Sequence, residues 1–173
     1  MDFVSDAISK PSTIPQHIKC LTVADDFKHE CVDITADFGI GGHYVTRLPD
    51  RAATLLGYPK AVRTDNGPEF TCRAFMTWAQ KHSIQYILIE PGSLTRNAYI
   101  ESFNSRFRDE GLDKNWFESL EQARLAIATW RLDYNEVRPH SSCGRIPPAT
   151  FAALNRRLTG DSRQHSKIRK GIS

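Results

Sequence analysis

The sequence predicts a mixed α/β fold, a sheet flanked by helices, and three observations carry that reading. Three strand-like stretches with alternating or β-branched character open the chain. Strand and helix patterns then alternate through the middle, and three helical segments follow one another at the C-terminal end. The predicted order is β-β-β-α-β-α-β-α-α-α.

Asp2–Ala7 reads as the end of a strand, followed by a loop carrying Pro11 and Pro15. His17–Ala24 alternates as a second strand, Asp25-Asp26-Phe27-Lys28 reads as a turn, and Glu30–Ala36 completes a hairpin. The glycines at 39, 41 and 42 lack the spacing and the Lys-Ser/Thr of a phosphate loop, so a plain connection is expected. Tyr44–Leu56 has helical character, with Pro49 expected to kink or delay it. Lys60–Thr64 is a short strand leading into the turn Asp65-Asn66-Gly67-Pro68. Glu69–His82 places Phe70, Ala74, Phe75, Trp78 and Ala79 at helical spacing, and Ile84–Ile89 is the clearest strand. After a loop at Pro91–Thr95 come helices over Asn97–Leu112, Leu120–Val137 and Pro148–Leu158. Trp78, Trp116 and Trp130 are expected in the core rather than as platforms for bases.

A chain of 173 residues is enough for one domain with a full core and a short appendage. The domain is expected over residues 1–155, with a basic tail over 156–173 holding six Lys/Arg against one Asp. No apolar run is long enough to span a membrane and the first residues lack a signal-peptide pattern, so a cytoplasmic location is expected. Four separate cysteines (Cys20, Cys31, Cys72 and Cys143) suit reduced thiols rather than disulfides or a zinc knuckle. The histidines are equally scattered, so any metal must be held by carboxylates. Charge is uneven: residues 1–95 carry 9 basic against 11 acidic side chains, and residues 96–173 carry 14 against 9. An acidic half joined to a basic half is compatible with a metal site beside a polyanion-binding surface.

Three acids stand where a side chain is aimed rather than merely solvated. Asp2 lies on the first strand, and Asp65 lies at the C-terminal end of a later one, where ligand sites of open α/β sheets gather. Glu101 sits in the helix 97–112, and Glu101, Asn104 and Arg108 share a face opposite the apolar residues Tyr99, Ile100, Phe103 and Phe107. Taken singly, Asp65 is a turn residue and Glu101 a solvated helix acid. Asp6 and Glu69 are competing carboxylates that spacing alone does not exclude.

The strings D-F-V-S-D (2–6), C-L-T-V-A-D-D-F (20–27), R-T-D-N-G-P-E-F (63–70), N-A-Y-I-E-S-F-N (97–104) and W-R-L-D-Y-N-E-V-R-P-H-S-S (130–142) resemble the DDE transposases of bacterial insertion sequences. These are encoded in a second, frameshifted reading frame and belong to the retroviral integrase superfamily. The resemblance runs from Asp2 to about Leu154, and 35 residues separate Asp65 from Glu101, as in that family. It implies an RNase H-like fold: a five-stranded mixed sheet flanked by helices, here with its first strand N-terminally truncated.

The resemblance also implies that Asp2, Asp65 and Glu101 form a metal-binding catalytic triad, which selects Asp2 over Asp6 and leaves Glu69 a supporting part. Asn104 and Arg108 match positions that lie against DNA in related integrases; Arg96, Arg106 and His140 are further expected DNA contacts, His140 after a structural role in its loop. The implied cofactor is a pair of Mg²⁺ (or Mn²⁺) ions about 4 Å apart, which three carboxylates suit. The implied reaction is phosphodiester cleavage and strand transfer, without a covalent protein–DNA intermediate. Implied partners are element-end and target DNA, further copies of the chain on paired ends, and an upstream DNA-binding region or partner subunit of the same element. The sequence departs from the family at Ser93-Leu94-Thr95-Arg96, where K-P-T-Q is usual, at Cys143, where leucine is common, and in starting one residue before the first acid. Two alternatives stay open beside the active core: an inactive remnant that keeps DNA affinity, and a different RNase H-like nuclease.

Overall fold

The computed structural model describes residues 1–9, 14–89 and 94–158, without the side chains of 94–97, 157 and 158. Strands β1 (Asp2–Ile8), β2 (Gln16–Ala24) and β3 (Cys31–Asp37) form an antiparallel meander. Helix α1 (Gly42–Leu56) leads to β4 (Ala61–Thr64), the short helices α2 (Pro68–Thr71) and α3 (Arg73–Lys81), and β5 (Gln85–Leu88). Strands β4 and β5 pair in parallel. Helices α4 (Leu94–Phe107), α5 (Leu120–Leu132) and α6 (Pro148–Leu158) complete the chain. The observed order is the predicted one except that two short helices, α2 and α3, stand where one was expected.

The period of two along β1 and β2 sorts side chains to two cores. Val4, Ile8, Ile18 and Cys20 face one way and pack with Ile100, Phe103 and Phe107 of α4 and with Ile127 and Trp130 of α5. Leu21 faces the other way, where Val45, Leu48, Val62, Phe70, Phe75 and Trp78 gather, with Phe3 and Val23 packed against them. The meander is therefore the middle layer between the α4–α5 pair and the α1–α3 group. The five strands divide into two hydrogen-bonded groups: β1 meets β4 through the Met1 amino group, which donates to Arg63 O at 2.7 Å.

Several boundaries differ from the sequence expectation, each for a physical reason. Helix α1 runs through Pro49, which is buried, instead of being delayed by it. The stretch expected as one helix from Glu69 is broken at Cys72, whose backbone is extended at φ −71° and ψ 153°. There Cys72 lies so close to Gly42 that a Cβ on that glycine would stand 2.2 Å from Cys72 Sγ. Both long C-terminal helices end in a wider π-helical turn, Arg108–Leu112 after α4 and Asp133–Val137 after α5. Trp116, expected in the core, is 76 % exposed: it stands in the connection before α5, outside any periodic apolar face.

The four cysteines are free thiols, and burial pushes Cys20 up to about 12, so it stays protonated. Among the described residues no helix is long and apolar enough to cross a membrane. Arg156, taken from the sequence as the start of the tail, belongs to α6 and holds Glu30 through Nη2 at 3.1 and 2.8 Å. The rest of the expected tail, from residue 159 on, lies outside the described residues.

Candidate active site

Asp2 opens β1 on the face that looks toward α4. Its Oδ1 accepts from the Phe3 amide at 2.7 Å, and its Oδ2 accepts from Asn104 Nδ2 at 2.7 Å. Burial pushes this carboxyl above the ordinary aspartate range, and the charge of Asp65 adds to the rise. The Phe3 amide, the terminal ammonium and the Asn104 amide pull the other way without cancelling it. Asp2 thus feels the like charge of Asp65, which follows a different strand.

Asp65 follows β4 directly, at the strand end the sequence pointed to. Its Oδ1 accepts from the Gly67 amide at 3.1 Å, a local turn of the kind that Asp-Asn-Gly favours. Gly67 is crowded by acids: a Cβ there would sit 3.1 Å from Asp65 Oδ1 and 3.2 Å from Glu69 Oε2. Glu69 is already paired, because Lys19 of β2 donates to its carboxylate and lies 4.0 Å above the Phe3 ring. Burial alone would raise Glu69, but the hydrogen bond from Lys19, that from its own backbone amide and the Lys19 charge together hold the group below its usual range. Of the two competing carboxylates, then, Glu69 carries its own cation. Asp6 sits two rungs beyond Val4 along β1 and accepts from its neighbouring Ala7 amide at 2.7 Å.

Helix α4 runs alongside β1 in the same direction, pinned at two rungs. Asn104 donates to Asp2, and one turn on Arg108 Nη2 donates to the Ser5 carbonyl at 3.1 Å. Glu101, one turn before Asn104 on the same side of the helix, is exposed. The sequence reading placed Asn104 on a polar face away from the core; it is 9 % exposed and looks inward at Asp2. Among the described residues no three His, Cys, Asp or Glu side chains come close enough together to hold a metal ion. The Met1–Arg63 contact brings the start of β1 to the end of β4, so Asp2 comes within reach of the Asp65 charge, while Glu101 stands one turn before Asn104 on α4. Carboxylate oxygens are donors of the kind a hard divalent cation takes.

The remaining predicted residues divide. The side chain of Arg96 lies outside the described residues. Arg106 is exposed, with Nη1 3.3 Å from His140 Nδ1. His140 is only 7 % exposed; its Nε2 faces the Tyr134 carbonyl at 3.2 Å, and its backbone bridges to Ile146. Burial holds its imidazole below the usual range, and the nearby Arg106 and Arg138 cations add to that against the Tyr134 carbonyl. A neutral ring that donates from Nε2 and accepts at Nδ1 satisfies both contacts.

One residue escaped the sequence reading. Thr22, on β2 directly opposite Asp2, is fully buried, with Oγ1 2.9 Å from Asn104 Oδ1 and 3.0 Å from the Asp2 carbonyl. Its signal in the sequence was a hydroxyl residue between Leu21 and Val23 in an otherwise apolar strand.

Comparison with known proteins finds relatives among the proteins of bacterial insertion elements. The chain is 65% identical over 153 residues to an uncharacterized 39.2 kDa protein of insertion element IS476 from Xanthomonas euvesicatoria, covering 88% of this chain and 43% of that protein. It is 55% identical over 156 residues to a 31.7 kDa protein of insertion element IS407 from Burkholderia multivorans, covering 90% and 55%. A more distant relative is the transposase InsF of insertion sequence IS3A from Escherichia coli, 28% identical over 95 residues, 54% of this chain and 33% of that one. The chain spans about half the length of the first two relatives.

Among solved structures, the catalytic core domain of BIV integrase superposes with a TM-score of 0.66 at 12% identity, over 92% of this chain and 97% of that one. The HTLV-2 integrase catalytic core domain, solved in complex with magnesium, superposes with 0.59 at 16% identity, over 87% and 94%. The shared fold is the RNase H-like fold of integrase catalytic cores. Family models described as integrase core domain match residues 1–93 and 82–148. The chain belongs to the integrase core domain family.

Proposed function

We propose that this chain is the catalytic core of a DNA transposase, cutting and joining DNA ends by metal-dependent phosphodiester cleavage and strand transfer. The observation that carries the reading is the opposition of Asp2 and Asp65 at the start of β1 and the end of β4, with the Glu101–Asn104–Arg108 side of α4 laid along β1. Like charges held together at a strand end favour a cation between them, and a helix face carrying carboxylate, amide and guanidinium suits a phosphate backbone beside it.

In this reading Asp2, Asp65 and Glu101 would hold Mg²⁺ or Mn²⁺. When bound, two such ions supply charge neutralisation at the scissile phosphate and activation of the attacking hydroxyl. The chain's own residues do the positioning. The Phe3 amide and Asn104 aim the two oxygens of Asp2, and the Gly67 amide holds one oxygen of Asp65. Lys19 neutralises Glu69, which keeps a third negative charge from crowding Asp65. Arg106 and Arg108 present cations toward a strand passing over α4, with Arg96 at the start of that helix. His140 contributes by holding Arg106 rather than by touching DNA. The remaining parts of the proposal are action in the bacterial cytoplasm, assembly of several copies on paired ends, and cooperation with an upstream DNA-binding region or partner subunit. The HTLV-2 core, described as a trimeric form, lends support to the multimer.

The test is a strand-joining assay with pre-cut element ends and Mg²⁺ or Mn²⁺. Asp65→Asn and Glu101→Gln are each expected to reduce joining by at least about 10³-fold with the fold unchanged, since metal-holding acids act as a unit. Joining at the wild-type rate by either variant would overturn the assignment. A second reading, a core that grips DNA without chemistry, draws on the failure of three acids to gather among the described residues. It predicts salt-sensitive DNA binding by the wild-type chain with no joining at any metal concentration.

A further inference from the structure

We infer that Thr22 is a positioning residue for Asp2, acting through the side-chain amide of Asn104. The inference rests on the reading of Asp2 as an acid of the active site, and adds to it a second residue of β2 beside Lys19.

The geometry is a short relay. Thr22 Oγ1 stands 2.9 Å from Asn104 Oδ1, and Asn104 Nδ2 stands 2.7 Å from Asp2 Oδ2. The two ends of an amide have almost the same shape, so packing does not choose between them; the hydrogen-bond partners do. A hydroxyl proton directed at Oδ1 selects the orientation in which the NH₂ end faces Asp2. The opposite orientation would set a carbonyl oxygen against a carboxylate oxygen in a site screened from water. The same Oγ1 is 3.0 Å from the Asp2 carbonyl, a second acceptor for its one proton, so the amide is held in this orientation while that proton serves Oδ1.

Packing alone does not call for threonine here. Position 22 is fully buried, on a strand face shared with Ile18 and Cys20. Valine has the same branched shape, suits a strand equally well, and buries no hydroxyl. The atom that distinguishes threonine from valine is the one that touches Asn104.

The experiment compares Thr22→Val and Thr22→Ser with the wild type in the whole 173-residue chain. Its first readout is hydrogen exchange of the Asn104 side-chain NH₂ by ¹⁵N NMR, with Asn104→Ala to assign the signals. The second is strand joining. The relay predicts amide exchange at least about tenfold faster in Thr22→Val and near wild type in Thr22→Ser, because only the valine lacks the partner that fixes the amide. Joining should fall about tenfold in Thr22→Val and stay within about threefold in Thr22→Ser, in keeping with an unsatisfied buried acceptor beside the site. A Thr22→Val protein with wild-type amide exchange overturns the inference, whether or not it joins DNA. If the wild type joins no DNA, the proposed function fails while the amide readout still decides the relay. Should Thr22→Val be misfolded, Thr22→Ala removes the same hydroxyl without adding bulk and is held to the same two outcomes.

Discussion

Two polar clusters pack against the α4–α5 side of the molecule, and they treat charge in opposite ways. Around Arg138, one guanidinium holds Glu110 from the π-helical turn after α4 and Asp133 from the turn after α5, while Trp130 Nε1 donates to Glu110 at 3.3 Å. Burial would lower Arg138, but its two carboxylate partners outweigh that and hold the guanidinium above its usual range. Beside Asn104 of α4, burial and the charge of Asp65 raise the cost of ionising Asp2, and the groups that answer Asp2 are mainly neutral dipoles. Charge is balanced within the chain where the task is to tie helix ends together. It is left unbalanced where, in the proposed function, a cation and a polyanion would be received. The second arrangement costs stability, as sites shaped for chemistry commonly do.

This contrast can be broken or sharpened by mutation. The largest stability effect is expected at the balanced cluster. Arg138→Ala leaves Glu110 and Asp133 facing each other with only the Trp130 donor, and should destabilise the fold by about 1–2 kcal/mol after solvent screening of this partly exposed group. Urea unfolding of the variant measures this, and an unchanged midpoint would show the clasp to be ornamental.

At the unbalanced cluster the sign should reverse. Asp65→Asn removes one of two like charges while keeping an oxygen for the Gly67 amide, so the same urea experiment should show a gain of a few tenths to about 1 kcal/mol as joining is lost. A loss of stability would mean that Asp65 is held by the fold rather than tolerated by it.

The smallest effect concerns pH. His140 is held below its ordinary value of 6.5, so the unfolded chain takes up a proton more readily than the folded one. Its contribution to stability is therefore complete above about pH 6.5 and is lost as pH falls through the lower folded value. Melting curves between pH 7.5 and 5 should show a decline below about 6.5 that is shallower in His140→Gln. Parallel curves for the two proteins would assign the decline to other groups.

Much of this was legible in the sequence, and what was not has a common cause. The order of elements followed from local periodicity, and Asp65 followed from a turn signal at a strand end. Both depend on residues close in the chain. The break at Cys72 depends on Gly42, thirty positions away, so a helical wheel over 69–82 could not contain it. The π-helical turns depend on how α4 and α5 meet, where Gly111 lies against Phe107 and Trp130. Helical spacing puts Asn104 on one face with Glu101 and Arg108, but its buried place against Asp2 needs Thr22 and Asp2, neither of which neighbours it in sequence. Trp116 was read as inward because it is large, although no periodic face included it. Composition predicts burial only when a partner surface is also predictable.

The pairing of β1 with β2 runs unbroken from Asp2↔Thr22 to Ile8↔Gln16, whereas the slip in the meander falls between β2 and β3, at Val23/Ala24. A strand ladder counts in whole residues, and a slip of one would turn Thr22 to the opposite face of the sheet from Asp2. The first ladder therefore serves as a ruler for the site, and the second as its slack. An insertion or deletion arising in the turn after β2 can be absorbed where the count is already irregular. One arising inside β1 or β2 would carry the hydroxyl away from the acid it serves, so it is the length of these paired strands that the site fixes.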